Sequence, residues 1–208
     1  MKTIITAAAL LLPQIAPGIA FAQQIPPAPP AVVDKVVKES FTKLPDGWAA
    51  RLVPDETMEI CSVTRNQPSA KQAEAIMARE AKTVKYPQGS VLGDWKKGAE
   101  VAQNGRGGQF SDPPGTVSGG NCYACHQMDP KEVSYGTLGP SLVNYGAERK
   151  FSAEDAKAAY AKVYNAQAVF ACSPMPRFGH NGVLSEEQMK DVVAYLFDPN
   201  SPVNKPAK

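Results

Sequence analysis

The 208-residue sequence contains little histidine, little net charge and no long apolar run. There are two histidines, and 22 basic residues against 20 acidic ones give a formal net charge of +2. This balance gives no reason to expect binding to nucleic acid or to a membrane surface. No apolar run approaches the roughly 20 residues that span a bilayer. Strand signals are weak and internal repeats are lacking, so we predict a mainly α-helical fold.

The first 22 residues have the features of a secretory signal peptide. Lys2 supplies a positive charge, residues 4–12 form a short apolar run, and residues 20–22 form an A-x-A cleavage site. We therefore predict cleavage after Ala22 and export. In a bacterium this places the mature protein in the periplasm, as a soluble protein.

The most specific motif in the sequence is C-x-x-C-H, formed by Cys122, Cys125 and His126. This spacing is typical of covalent attachment of a c-type haem, with the histidine as the proximal iron ligand. Half of a zinc site and a thioredoxin-like redox pair are the alternatives. Zinc needs two further ligands, and no βαβ pattern surrounds the motif. Export favours haem as well, so we predict one covalently bound haem c.

The remaining two cysteines are Cys61 and Cys172. An even remainder in an oxidising compartment favours a disulfide between them. Such a bond would close a loop of about 110 residues, for which the chain-entropy model gives up to roughly 4–5 kcal/mol. The alternative is a pair of buried, unpaired thiols.

Met175 is the predicted sixth ligand of the haem iron. A proline lies on each side of it, and both restrict the backbone of this loop. Met128 is too close to the proximal histidine in sequence to reach the opposite haem face, and Met189 fits better in a helical core stripe. A thioether ligand raises the reduction potential relative to a second histidine, which suits electron transfer. The alternatives that stay open are His180, Cys172 and an open site.

Apolar spacing and capping residues divide the chain into segments. Helices are predicted at 32–41, 68–87, 93–105, 152–168 and 185–198. Residues 49–67 are predicted to be irregular, with possible short strands. Gly98 lies inside a predicted helix, where glycine is unfavourable, so we expect another helix to approach closely there. The predicted regions are a signal peptide (1–22), an N-terminal extension with a proline-rich arm and a helix (23–89), a haem domain (90–203) and a tail (204–208).

The order of these elements resembles class I cytochrome c over residues 90–200. The order is a helix, C-x-x-C-H, a Gly-Pro-Ser-Leu loop, a helix, a Pro-Met-Pro loop and a C-terminal helix. In that family the first and last helices cross near a glycine and an aromatic residue, which correspond here to Gly98 and Tyr195. Cytochromes c′ fit less well because their haem motif lies near the C-terminus.

A narrower resemblance is to the SoxX subunits of SoxAX cytochromes. The stretches that carry it are GNCYACH (120–126), GTLGPSL (136–142), SPMPRFGHNGVLSEEQMKDVVAYL (173–196) and the long extension before the haem domain. The resemblance implies a heterodimer with a catalytic SoxA-type cytochrome, an L-cysteine S-thiosulfotransferase that oxidatively couples thiosulfate to the carrier SoxYZ. This chain would be its non-catalytic electron-transfer subunit and would reduce a small soluble cytochrome c.

Two other functions are considered beside this one. The first is a periplasmic cytochrome c shuttle, or an electron-transfer subunit of a different oxidoreductase. The second is a haem enzyme or gas sensor with an open iron site. A shuttle needs little beyond its haem module, so the extension at 23–89 argues against it and is expected to face a partner.

Overall fold

The computed structural model describes Pro26, residues 28–109 and residues 111–205. The predicted signal peptide and the first residues of the proline-rich arm lie outside the described residues. The chain divides into two units, residues 1–42 and residues 43–208. The predicted boundary between extension and haem domain, at residue 90, stays a prediction.

The first unit contains one described helix, α1 (Pro30–Ser40). Pro30 occupies its first turn, where the missing amide hydrogen costs nothing and the fixed φ favours helix initiation. This helix corresponds to the one predicted at 32–41.

The second unit is built from helices joined by long loops. Its helices are α2 (Glu56–Val63), α3 (Ala70–Ala81), α4 (Trp95–Gln103), α5 (Tyr145–Glu148), α6 (Ala153–Tyr164) and α7 (Glu186–Phe197). Short 3-10 turns lie at 49–52, 122–124, 166–168 and 202–204. No strand occurs in the described part of the chain, which confirms the mainly α fold. Within those same residues, no helix has the length and apolar character needed to cross a membrane.

Serine side chains begin three of the helices as the sequence predicts. Ser69 and Ser185 each accept a hydrogen bond from an amide three residues later, and a glutamine there bonds back to the serine amide. Ser152 caps α6 through the amide of Asp155. Such caps satisfy amides that have no partner inside the helix.

Three segments differ from the predictions. The helix predicted at 68–87 is α3, which ends at Ala81. Residues 49–67, predicted to be irregular with possible strands, contain α2, which begins because the Asp55 side chain accepts from the Met58 amide at 2.8 Å. The helix predicted at 152–168 ends at Tyr164. Asn165 has an extended backbone (φ −151°), and the chain continues as a separate 3-10 turn.

Helices α4 and α7 cross at Gly98, as predicted. A side chain at this position would collide with the Asp191 carbonyl and would lie 2.9 Å from Cβ of Tyr195. Glycine therefore allows the two helix backbones to touch. The main core surrounds this crossing and includes Tyr160, Met128 and Val193.

A second, smaller core lies between α2, α3 and the loop that precedes Met175. Its buried members are Cys61, Ile76, Ala171 and Cys172. Met77 is half-buried against them. This small core brings two segments that are about a hundred residues apart into contact.

Candidate haem site

The three motif side chains are presented by one tight turn. Cys122 begins a 3-10 turn, and its carbonyl accepts from the amides of Cys125 at 3.1 Å and His126 at 2.9 Å. Asn121 precedes it in the left-handed conformation (φ 45°), which asparagine tolerates better than most residues. The turn therefore brings two thiols and an imidazole together within five residues.

The His126 ring is oriented by the following Gly-Pro-Ser-Leu loop. Its Nδ1 donates to the Pro140 carbonyl at 2.7 Å, since a carbonyl oxygen can only accept. In the neutral tautomer with this hydrogen bond, the other nitrogen, Nε2, carries no proton and is able to ligate a metal. Gly139 lies directly against the His126 ring, and a Cβ at residue 139 would collide with that ring. The Gly139 amide donates to the Cys125 carbonyl at 2.9 Å. The motif therefore fits a haem with His126 as axial ligand.

Neither Cys122 nor Cys125 takes part in a disulfide, and both are half-buried. Cys122 packs against the main core. Burial raises the pKa of its thiol to about 12, and the neighbouring Cys125 adds to the increase. The thiol is therefore neutral at physiological pH. No cluster of three or more His, Cys, Asp or Glu side chains suited to a metal ion occurs in the described residues.

A pair of tyrosines connects the motif to α7. The hydroxyls of Tyr123 and Tyr195 are 2.8 Å apart, and the amide of Asp129 donates to the Tyr123 hydroxyl at 3.1 Å. Burial raises the pKa of both phenols. Both tyrosines therefore stay neutral, and the hydrogen bond between them ties the motif to the last helix.

The predicted sixth ligand, Met175, is half-buried and packs against the main core. Its amide donates to the Ser173 hydroxyl at 3.2 Å. Met128 and Met189 are buried members of the core, as expected. His180 is exposed, and its amide donates to the Tyr164 carbonyl at 3.0 Å. The assignment of Met175 to the iron stays a prediction.

The disulfide predicted between Cys61 and Cys172 is confirmed. The sulfurs are 2.06 Å apart and join residues separated by 111 positions. The exposed fractions of the two residues are 7% and 4%. Because its sulfur is used in this bond, Cys172 has no free thiol to offer an iron.

A buried ion-pair network next to Met175 was not predicted. Arg177 donates to Asp55 at 2.5 Å and to Glu80 at 3.3 Å. Glu80 also accepts hydrogen bonds from Thr57 and from Asn165, the latter at 2.8 Å. One signal for Glu80 exists in the sequence, because it follows Ile76 by four residues and so shares the apolar face of α3. Its partner Arg177 lies 97 residues away, so no local spacing in the sequence indicates the pair.

The network changes the acidity of its carboxyl groups. Burial alone would raise the pKa of Glu80, but hydrogen bonds from Thr57 and Asn165 and the charge of Arg177 outweigh it and lower the pKa. The pKa of Asp55 is also lowered: burial opposes the shift, and the Met58 amide and Arg177 outweigh it. Both groups are therefore carboxylates at neutral pH.

Comparison with known proteins supports the interpretation of this site. The family model for cytochrome c matches residues 95–198, which is half of the chain. An uncharacterised lipoprotein of Aquifex aeolicus (strain VF5) is 43% identical over 127 residues. That match covers 59% of this chain and 59% of the relative, so the chain aligns with little more than half of the relative's length. The chain belongs to the cytochrome c family, whose members bind haem c covalently and transfer electrons.

Proposed function

We propose that this chain is the monohaem electron-transfer subunit of a SoxAX-type complex that oxidises thiosulfate. In this proposal a SoxA-type cytochrome is the catalytic partner, and SoxYZ is the carrier to which thiosulfate is coupled. The chain passes electrons from the catalytic subunit to a small soluble cytochrome c. It is not catalytic alone. The count of one haem rests on the single C-x-x-C-H motif in the sequence.

The proposal rests on the positions of the SoxX-like stretches in the structure. The first contains the motif turn at 122–124, and the second contains Gly139 and Pro140, which contact the His126 ring. The third contains Met175 and α7, whose Tyr195 bonds to Tyr123. The resemblance is therefore concentrated at the haem site.

The use of the cysteines supports a role in electron transfer rather than in sulfur transfer. Two cysteines belong to the haem motif and the other two form a buried disulfide. No cysteine is left to form a covalent adduct with thiosulfate. The thiol chemistry of the proposed reaction is therefore assigned to the partner and the carrier.

The reaction defines what this chain has to do. A sulfur–sulfur bond forms between the terminal sulfur of thiosulfate and a cysteine sulfur of the carrier, and the thiol proton and two electrons are released. When bound, haem c supplies one-electron exchange between ferric and ferrous iron. The chain consequently delivers the two electrons singly. His126, fixed through Pro140, and the soft thioether of Met175 favour a high potential, which suits delivery to another cytochrome.

Location outside the cytoplasm is part of the proposal. The signal-like N-terminus predicts export to the periplasm, and the name of the Aquifex relative describes a lipoprotein, which is an exported class. Haem c attachment and the disulfide both fit an oxidising, extracytoplasmic compartment. The small net charge of +2 gives no support for a nucleic-acid or membrane partner.

Co-expression with a SoxA-type cytochrome tests the proposal. We expect the two chains to co-purify, and we expect the complex with SoxYZ and thiosulfate to reduce a small cytochrome c. This chain alone should show no such activity. The variant Met175→His keeps a haem ligand but lowers the potential, so it should still co-purify while reducing the acceptor more slowly.

Two results would contradict the proposal. A chain that stays monomeric beside its SoxA-type partner would indicate an independent shuttle. Carbon monoxide binding to the reduced native protein at neutral pH would indicate an open iron site and a haem enzyme or sensor. Intact mass would show the haem count directly, because each covalently bound haem adds one fixed mass increment.

A further inference from the structure

The loop that carries Met175 is attached on both sides to helices that precede the haem domain in sequence. Cys172 lies three residues before the methionine and Arg177 lies two residues after it. Their partners are Cys61, Asp55 and Glu80, which we call the three anchors. Two anchors belong to α2 or its cap and the third belongs to α3.

The first attachment is covalent. The disulfide joins Cys172 to Cys61 within the smaller core. The backbone around Cys172 is held as well, because Gln167 accepts from its amide at 2.6 Å and donates to the Ser173 carbonyl at 3.3 Å. Cys172 itself has a positive φ of 57°, a conformation that other contacts must maintain. The loop is thus fixed immediately before Pro174.

The second attachment is electrostatic; it is buried at Arg177 and Glu80 and exposed at Asp55. Arg177 has an exposed fraction of 7% and Glu80 of 4%. The guanidinium contacts two carboxylates, and Glu80 has further hydrogen-bond donors in Thr57 and Asn165. A buried charge with its partners satisfied resists displacement, because moving it would leave uncompensated charge in a region of low dielectric. The loop is thus fixed again immediately after Pro176.

Between these attachments the backbone has little freedom. Pro174 and Pro176 restrict φ on either side of Met175, and the Met175 amide is bonded to Ser173. The backbone position of Met175 is therefore set by residues that α2 and α3 hold. This arrangement differs from a loop that depends only on its own turns and on the haem for its shape.

We propose that α2 and α3 position Met175 as an axial ligand, with Cys172 and Arg177 as the positioning residues on the loop. The inference rests on the proposed ligand Met175. If Met175 binds the iron, movement of the loop away from the haem would release the thioether, and both attachments oppose that movement. The three anchors would consequently disfavour replacement of the methionine by another ligand and help to maintain a high potential.

The test measures replacement of the methionine by imidazole in the oxidised holoprotein. The disulfide is removed in the double variant Cys61→Ala/Cys172→Ala, because a thiol reductant would also reduce the iron. Asp55→Asn removes one charge and keeps the helix cap, since asparagine caps as well as aspartate. Glu80→Gln is isosteric. Arg177→Lys keeps the charge and loses the planar fork that reaches both carboxylates.

The matched control is Arg149→Gln. The Arg149 guanidinium lies 3.6 Å from the centre of the Tyr145 ring and donates to the Tyr145 carbonyl at 2.9 Å, and none of its described contacts involves the three anchors. Thermal unfolding of all variants identifies general losses of stability. Only an effect of the anchors on the loop should change imidazole binding and the near-infrared methionine-to-iron band together.

We expect imidazole to bind about tenfold more tightly to the double-cysteine and Glu80→Gln variants, equivalent to about 1.4 kcal/mol of loop stability. Arg177→Lys and Asp55→Asn should show smaller increases, and Arg149→Gln none. If the wild-type protein shows the methionine band and every variant binds imidazole with the wild-type affinity, this inference is wrong but the ligand assignment stands. A wild-type protein without the band would overturn both the ligand assignment and the inference.

Discussion

Replacement of Gly98 by alanine is a sharp test of the helix crossing that supports the haem domain. The added methyl group would collide with the Asp191 carbonyl and would lie 2.9 Å from Cβ of Tyr195. Favourable carbon contacts lie at about 3.5–4.0 Å. Because the closest neighbour is a backbone atom of α7, no side-chain rotation relieves the overlap. The two helices would have to separate.

Separation also breaks hydrogen bonds between the two segments. The Asp94 amide donates to the Asp191 carboxylate at 2.7 Å, and the Gly93 amide donates to the Lys190 carbonyl at 3.0 Å. Overpacking costs about 1–3 kcal/mol, and each lost hydrogen bond adds about 1 kcal/mol. Alanine is a better helix former than glycine by about 1 kcal/mol. The balance is a loss of about 2–4 kcal/mol for Gly98→Ala.

Urea unfolding of the haem-loaded protein measures this loss by circular dichroism and by Soret absorbance. The control is Lys97, which is exposed in the same helix. Lys97→Ala should be more stable than Lys97→Gly by about 1 kcal/mol, because only helix propensity differs there. A Gly98→Ala protein as stable as the wild type would refute the close approach of α4 and α7.

Three further predictions concern the loop and the motif. Because the pKa of Glu80 is lowered by folding, the carboxylate stabilises the protein fully above pH 4.5, its ordinary value, and this stabilisation is lost as the pH falls through the lowered value. The free energy of unfolding of Glu80→Gln, from urea unfolding at several acidic pH values, should therefore depend less on pH than that of the wild type. Removing the disulfide, as in Cys61→Ala/Cys172→Ala, should lower the free energy of unfolding by up to about 4–5 kcal/mol, measured in the same way. Gly139→Ala should push the His126 ring out of place at a cost of about 1–3 kcal/mol, seen as a lower ratio of Soret to protein absorbance; an unchanged ratio would contradict the contact.

Features that depend on neighbouring residues could be predicted from the sequence. Ser69 and Ser185 begin helices because the amides they cap lie three residues away. The C-x-x-C-H spacing likewise fits inside one short turn. Such interactions are decided by local geometry, which residue spacing encodes directly.

The disulfide could be predicted for a different reason. The haem motif contains two of the four cysteines, and the expected oxidising compartment, rather than geometry, predicts a disulfide between the remaining two. Helix α2, in contrast, was missed because its eight residues are only weakly amphipathic. Its contacts with other segments, including the packing of its Cys61 in the smaller core, decide its structure more than its own apolar spacing does.

The contact between Arg177 and Glu80 connects residues before the predicted haem domain to the loop that carries Met175. A guanidinium and a carboxylate, each almost fully buried, are stable only while they remain paired. Glu80 lies in the segment that the sequence analysis predicts to be an N-terminal extension, residues 23–89, whereas Arg177 lies two residues from the proposed ligand. If α2 and α3 only faced a partner, their charges would be expected on the outer surface. Instead, one carboxylate and one sulfur point inward to the methionine loop, so these helices also complete the structure of the haem domain.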